Sequence, residues 1–152
     1  HYCYEGIARE CSGRLGGTVQ QPKFAVLELG KNGPQVENQT DKCLVYTATY
    51  LVRSGDQPTF PTEVLAPLEA SGIHSLTPAV DATNLSNSEF GQPTHVFDAE
   101  KVIEPIVIRL STKGEKALLL FEEEARDIPE GIMVIADQEK ILAIAGVIGY
   151  EA

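Results

Sequence analysis

The residues best suited to chemistry lie in one short stretch, 80–98, which reads VDATNLSNSEFGQPTHVFD. It holds carboxamides at Asn84 and Gln92 and an imidazole at His95, with an aspartate near each end. An imidazole exchanges protons near neutral pH, and a carboxamide orients water or a carbonyl group by hydrogen bonding. No common nucleophile motif, phosphate-binding loop or metal-ligand spacing accompanies them. Metal binding by His95 with Asp98 would need further ligands that the sequence does not offer.

Each of these residues also has a purely structural interpretation. Gly91 and Pro93 predict turns in this stretch rather than a long helix. In such a turn Asn84 could cap its own backbone, and the two aspartates, Asp81 and Asp98, could accept hydrogen bonds from backbone amides. A lone His such as His95 is more often a structural residue than a catalytic one.

Elements on both sides must position this stretch. Apolar spacing predicts a helix over 6–15 that stops at Gly16, and another over 62–71 with Thr62 as a possible cap and Gly72 as the stop. β-Branched and aromatic content predicts strands, listed in chain order: 23–29, 43–53, 106–110, 116–121, 133–136 and 141–148. This mixture predicts an α+β fold with mainly antiparallel sheets and a few short helices in a single compact domain. We expect residues 1–38 to form a lead-in helix, strand and loop, and residues 39–152 to form the domain core.

Composition limits the function. The chain has 152 residues and a net charge of −10, which works against extensive neutralisation of phosphates, so we expect weak nucleic-acid binding by this chain alone. Its three cysteines are an odd number without zinc-site spacing, which argues against a disulfide framework and a structural metal. No apolar run approaches the ~18 residues that span a bilayer, so we expect no membrane association and a cytoplasmic location. Because the chain begins with His1, we expect a fragment of a longer protein.

The stretch 80–98 resembles a signature of the central, editing domain of the bacterial phenylalanyl-tRNA synthetase beta subunit. The likeness continues in order along nearly the whole chain. The other residues that match the family are GIARE at 6–10, Asp41-Lys42-Cys43 with Tyr46, Pro61, Leu68, Gly72-Ile73, Arg109, Gly114-Glu115, Ile135-Ala136-Asp137 and LAIAGV at 142–147. One such match is weak, but their common order and spacing make a strong signal.

The resemblance implies hydrolysis of the ester of tyrosine wrongly attached to the phenylalanine tRNA. It implies that Asn84 and His95 are the catalytic residues that orient the water and the ester. Gln92, Gly146 and Gly149 are implied to bind substrate, with no metal and no cofactor. The implied partners are the aminoacyl end of tRNA(Phe) and the synthetase alpha subunit, reached through the rest of the beta chain. By the same resemblance, the acidic residue that recognises the tyrosine hydroxyl lies beyond Ala152.

The alternative is an editing-like module without chemistry that serves as a structural or interaction domain, in a synthetase or in a standalone paralogue. The polar run Ser86-Asn87-Ser88 and a bulky Tyr150 in place of the family's glycine fit this alternative. A Tyr150 side chain filling the pocket would favour it, whereas Asn84 and His95 converging on an open pocket would favour the hydrolase.

Overall fold

The structure is a computed structural model that describes residues 2–24, 30, 32–52, 55, 59–118 and 122–149. The helices in this part of the chain are α1 (Tyr4–Leu15), α2 (Thr62–Ala70) and α3 (Pro78–Phe90). The strands are β1 (Val36–Asn38), β2 (Ile106–Leu110), β3 (Lys116–Ala117), β4 (Arg126–Asp127), β5 (Met133–Ala136), β6 (Ile141–Ile144) and β7 (Ile148–Gly149). The predicted α+β class with mainly antiparallel sheets is confirmed. No helix in these ranges is both long and apolar enough to cross a membrane.

Helices and strands segregate into two compact units. Residues 1–28 and 53–96 form what we call the helical unit, which contains α1, α2 and α3. Residues 29–52 and 97–152 form the sheet unit, which contains every strand named above. The division between 1–38 and 39–152 that the sequence suggests remains a prediction, because compactness does not test it.

The two predicted helices of the helical unit are confirmed, with altered ends. Cys3 caps the start of α1, with its Sγ accepting a hydrogen bond from the Gly6 amide at 3.3 Å, and Gly16 caps its end with φ 74°. Helix α2 follows Pro61, which supplies no side-chain cap, so Thr62 is its first residue rather than its cap. Leu68 of α2 is almost fully buried, at 1% exposure, and anchors this helix in its unit.

Helix α3 corrects the prediction of turns over 80–90. Thr77 caps it, with Oγ1 accepting from the Val80 amide at 3.3 Å, and Pro78 occupies the first turn, where its missing N–H costs nothing. Gly91, which the sequence suggested as a turn, ends the helix in the left-handed conformation with φ 71°. The Thr-Pro start and the Gly stop are helix signals that outweighed the turn propensity of the polar residues between them.

The sheet unit contains a five-stranded sheet in the order β1-β2-β5-β6-β7. β1 runs parallel to β2, with Val36 opposite Ile106, and the remaining pairs are antiparallel. Neighbouring residues of β5 face opposite sides, since Val134 belongs to one apolar cluster and Ile135 to another. Both faces of the sheet are therefore packed. β3 and β4 form a separate two-stranded hairpin.

The predicted strand over 43–53 is wrong for 43–52, while residue 53 lies outside the described ranges. Residues 43–52 form no ladder with any residue that the structure describes, and Leu44, Leu51 and Val52 are 83–91% exposed. Within 43–52, Tyr46 and Ala48 pack against the apolar cluster that contains Ile135. High strand propensity describes a fit to a pleated, half-buried surface, and it does not by itself supply a neighbouring strand.

Two of the other predicted strands are confirmed, and the rest are confirmed only in part or lie mostly outside the described residues. β2 and β5 coincide with 106–110 and 133–136, whereas 141–148 is split by a turn at 145–147 into β6 and the start of β7. In the predicted strand 116–121 the described part forms only β3. The predicted strand 23–29 lies mostly outside the described residues, and β1 lies at the end of the lead-in 1–38, where the sequence suggested a loop.

Candidate functional site

Asn84 lies in the interior of α3, and its side chain is half-buried. Its carboxamide makes no hydrogen bond to any residue that the structure describes, so it does not form the local backbone cap that its residue type allows. A half-buried carboxamide with both its donor and acceptor uncommitted can orient a water molecule or an ester carbonyl.

Asp81 sits one turn before Asn84 and is buried, with 3% exposure. Its Oδ1 accepts from the backbone amide of Leu76 at 3.0 Å, and its Oδ2 accepts from the Ser75 hydroxyl at 2.6 Å. The structural interpretation of Asp81 as an acceptor for backbone amides is thus confirmed. Asp98 makes the same kind of contact, with Oδ1 accepting from the Glu100 amide at 3.1 Å.

The C-terminal end of α3 is held by close packing. Gly91 has a positive φ of 71°, which favours glycine, and a Cβ atom added to it would lie 3.2 Å from Cys3 Sγ, so Cys3 would have to shift slightly. The rings of Phe90 and Phe24 pack in a tilted arrangement, with centroids 5.6 Å apart. These contacts fix the point from which the chain continues to His95.

His95 lies in the non-helical segment after α3 and is half-buried. Burial lowers the pKa of its imidazole, since desolvation disfavours the charged form. The ring is therefore neutral near pH 7 and able to accept a proton. Gln92, between the two, is exposed, and its Nε2 donates to the Pro93 carbonyl at 3.4 Å.

The two glycines predicted to bind substrate belong to the sheet unit. Gly146 lies in the turn between β6 and β7 with φ 71°, a conformation that favours glycine, and it is exposed. Gly149 lies in β7 opposite Ala143 of β6. Tyr150, which distinguishes the hydrolase from the inert alternative, lies outside the described residues.

The structure thus places Asn84, Gln92 and His95 in the helical unit and the two glycines in the sheet unit. A cavity of about 190 Å³ in the helical unit is lined by the start of the chain, from Tyr2 to Ile7, with Ser71 and Ser88. Neither Asn84 nor His95 lines it. Their convergence on one cavity, and their roles, remain predictions.

Sequence reasoning missed an ion pair at a cleft of about 550 Å³ in the sheet unit. Arg109 at the end of β2 donates from Nη1 and Nη2 to both oxygens of Glu115, at 3.0 and 2.7 Å. The hydrogen bond from Arg109 is the main reason that the pKa of Glu115 lies below its usual range, and the Thr112 amide adds to it. The signal was an Arg followed six residues later by a Glu across a Lys-Gly turn, which the sequence analysis used only as part of the resemblance.

The same cleft is bounded by Asp137, which closes the β5–β6 turn. Burial alone would raise the pKa of Asp137, but backbone amides of Glu139, Lys140 and Ile103 donate to its carboxylate and hold the pKa below its usual range. The carboxylates of Glu115 and Asp137 at this cleft are compensated by donors within the unit, so these two side chains hold loops.

Two further features bear on cofactors. In the described part of the chain, no three His, Cys, Asp or Glu residues are grouped so as to hold a metal ion. The three cysteines, Cys3, Cys11 and Cys43, are free thiols.

Comparison with known proteins places the chain in a family. The B3/4 domain pattern matches residues 42–152. The phenylalanine–tRNA ligase beta subunit of Haemophilus ducreyi is 37% identical over 149 residues, and that of Geobacter metallireducens is 35% identical over 151 residues. These alignments cover 97% and 96% of this chain and 19% of each relative. The beta subunit of Aquifex aeolicus is 40% identical over 145 residues, covering 95% of this chain and 18% of that protein.

The chain thus spans about a fifth of the length of the curated relatives that it matches. The matched pattern nevertheless extends over most of this chain, including α2, α3 and the main sheet from β2 to β6. This chain belongs to the B3/4 domain family.

Proposed function

We propose that this chain is the editing part of a phenylalanine–tRNA ligase beta subunit and that, within such a subunit, it takes part in hydrolysing the ester of tyrosine misattached to tRNA(Phe). The observation that carries the proposal is the likeness to such beta subunits over 95–97% of the chain. The B3/4 match also includes the positions of Asn84, His95, Gly146 and Gly149.

The physical need for such a site is a general one. A hydrophobic amino-acid pocket rejects an analogue that only adds a hydroxyl by a factor on the order of 10², which is too little for faithful translation. A second site that accepts the hydroxyl and cleaves the ester removes the error. An aminoacyl ester is already activated, so the site needs a positioned water and donors for the developing oxyanion.

In the proposed reaction, a water oxygen attacks the ester carbonyl carbon, and the tetrahedral intermediate then expels the ribose oxygen of the tRNA. His95, kept neutral by its burial, accepts a proton from the attacking water and returns one to the leaving oxygen. The uncommitted carboxamide of Asn84 orients the water or the carbonyl. By the family resemblance, Gln92 and the backbone groups of Gly146 and Gly149 are the proposed substrate contacts.

The proposed partners follow from charge as well as from family. Because the chain carries a net charge of −10, the rest of a synthetase must hold the tRNA body while this part receives only its aminoacyl end. The alpha subunit would be reached through the remainder of a beta chain. We infer that the reaction takes place in the cytoplasm, where aminoacylation supplies its substrate, and that it needs no cofactor.

The test is deacylation of purified tyrosyl-tRNA(Phe) by the natural full-length protein that carries this chain, with phenylalanyl-tRNA(Phe) as the comparison. We expect the tyrosyl ester to be cleaved and the phenylalanyl ester spared. His95→Ala should slow deacylation by ~10²-fold or more if His95 transfers protons, and by less if it only orients water. His74→Ala is the matched control, because His74 is an exposed histidine of the same unit.

Equal rates for the wild type and His95→Ala would remove His95 from the mechanism. Absence of deacylation by the wild-type protein would favour the alternative, an inert editing-like module. The 152-residue chain alone should be nearly inactive, because the family resemblance places the acidic hydroxyl reader beyond Ala152. When phenylalanine binds, the buried polar group that recognises the hydroxyl has no hydrogen-bond partner. This costs ~1–3 kcal/mol of binding free energy, which would discriminate tyrosine from phenylalanine.

A further inference from the structure

We infer that Asp81 is a positioning residue, which acts on the proposed ester hydrolysis by fixing the helix that carries Asn84. The inference rests on the proposed function, but the geometry behind it lies entirely within the helical unit. It concerns a buried carboxylate to which the proposed mechanism gives no part.

The first observation is that α3 is anchored by a charged group. Among the 13 described residues of α3, Asp81 is the only buried one. Val80, Leu85 and Phe90 are merely half-buried. A surface helix is normally held by a buried apolar stripe, so α3 depends unusually on the contacts of one carboxylate.

The second observation is what the carboxylate binds. Both oxygens reach back across the helix start, to the Leu76 amide and the Ser75 hydroxyl in the linker between α2 and α3. Burying a carboxylate is unfavourable unless such donors satisfy it, and these bonds are directional. Apolar contacts tolerate sliding and rotation, whereas this pair of bonds fixes both the depth and the rotation of the first turns of α3.

The third observation is the position of Asn84. Residues three apart lie on the same side of a helix, so Asp81 and Asn84 face the same side, about one turn apart. The far end of α3 is fixed separately by the tight approach of Gly91 to Cys3. Held at both ends, α3 presents Asn84 in one orientation. Loss of Asp81 frees the first turns of α3, which lead directly to Asn84.

The experiment measures deacylation of tyrosyl-tRNA(Phe) by the natural full-length protein and by its variants Asp81→Ala, Asn84→Ala and the double variant. We expect Asp81→Ala to lower kcat by about 10- to 100-fold with little change in KM, because displacements near 1 Å have effects of that order. The double variant should be no slower than Asn84→Ala alone, since Asp81 acts through Asn84. Asp81→Asn should restore most of the rate, because its carbonyl still accepts from Leu76 and its amide group donates to Ser75 Oγ.

Glu89→Ala is the matched control, because it removes an exposed carboxylate from the same helix and should leave kcat unchanged. Additive losses in the double variant, or a wild-type kcat in Asp81→Ala, would overturn the inference. If Asp81→Ala does not fold, Ser75→Ala removes one of the two bonds and should give an intermediate loss of kcat. A wild-type rate for Ser75→Ala would then count against the role of Asp81.

Hydrogen exchange separates this inference from the proposed function. In the same full-length protein, Asp81→Ala should speed amide exchange in peptides from residues 73–90, and Glu89→Ala should not. If the wild type fails to deacylate, the proposed function fails, and exchange alone decides whether Asp81 fixes α3. Unchanged exchange in 73–90, or faster exchange throughout the protein, contradicts the positioning role.

Discussion

Asp137→Asn offers a quantitative test of how the sheet unit is held together. The carboxylate is 6% exposed and accepts two short hydrogen bonds, from the Lys140 amide at 2.7 Å and the Glu139 amide at 2.8 Å. A longer one comes from Ile103 at 3.2 Å. The asparagine preserves the shape and one carbonyl acceptor, but it removes the charge and turns an NH₂ group toward another N–H donor.

The expected cost follows from these contacts. Hydrogen bonds to a charged group contribute about 1.5–3 kcal/mol each, roughly twice a neutral bond. Glu139 and Lys140 are exposed, so hydrogen bonds to water compensate for part of the hydrogen-bond energy that their backbone amides lose. We expect Asp137→Asn to lower the free energy of unfolding by about 2–3 kcal/mol at pH 7, or roughly 5–10 °C in Tm.

The assay is urea unfolding of the 152-residue chain at a series of pH values, with Glu139→Gln as a control of equal charge change in the same turn. Because the folded pKa of Asp137 lies below the unfolded value of about 3.9, its stabilisation is complete above that pH and is lost as pH falls through the folded pKa. The wild type and Asp137→Asn should therefore converge in acid. A loss under about 0.5 kcal/mol at pH 7, or one that persists after the carboxyl is protonated, would refute this account of the turn.

Three further predictions concern the helical unit and the charge of the chain. Gly91→Ala should lower the free energy of unfolding by about 1–3 kcal/mol, because Gly91 has a positive φ and its Cβ would crowd Cys3, whereas Gly13→Ala in α1, with open space around it, should be neutral or stabilising in the same urea titration. The folded pKa of His95 lies below its unfolded value, so the wild type should lose stability as pH falls below about 6.5, and urea titrations of His95→Gln should show a flatter dependence there. Filter binding of tRNA to the 152-residue chain at ~0.15 M salt should give a Kd weaker than ~10⁻⁵ M, and sub-micromolar binding would mean that a local basic surface outweighs the net charge.

The elements predicted best from sequence are those whose signals are local. The strands β2 and β5 lie where β-branched residues are dense, and β6 follows its antiparallel partner β5 after one short turn. The end of α1 at Gly16 was likewise predicted from the sequence. Such elements need little information from distant parts of the chain.

The failures have two physical causes. The Asp, Asn and Ser residues of α3 are common in turns, so composition favoured turns over a helix there. The cap at Thr77 and the stop at Gly91 define the helix instead. In 43–52, strand propensity was real, but a strand also needs a free ladder position beside it, which depends on the whole sheet. For the candidate site, residue types and family likeness singled out Asn84 and His95. The support that Asp81 gives to α3 depends on hydrogen bonds to Ser75 and Leu76, and these residues belong to no sequence motif that indicates such bonds.

The parallel pairing of β1 with β2 has a consequence for how the chain folds. Val36 pairs with Ile106, about 70 residues later, and both α2 and α3 lie between them. Closing a flexible loop of that length costs on the order of 4 kcal/mol in chain entropy, whereas the β2-β5-β6-β7 strands can form through much shorter loops. The antiparallel strands should therefore form first and serve as the template, with β1 added last at the edge. During synthesis, β1 leaves the ribosome well before its partner exists, and it must remain unpaired until β2 emerges.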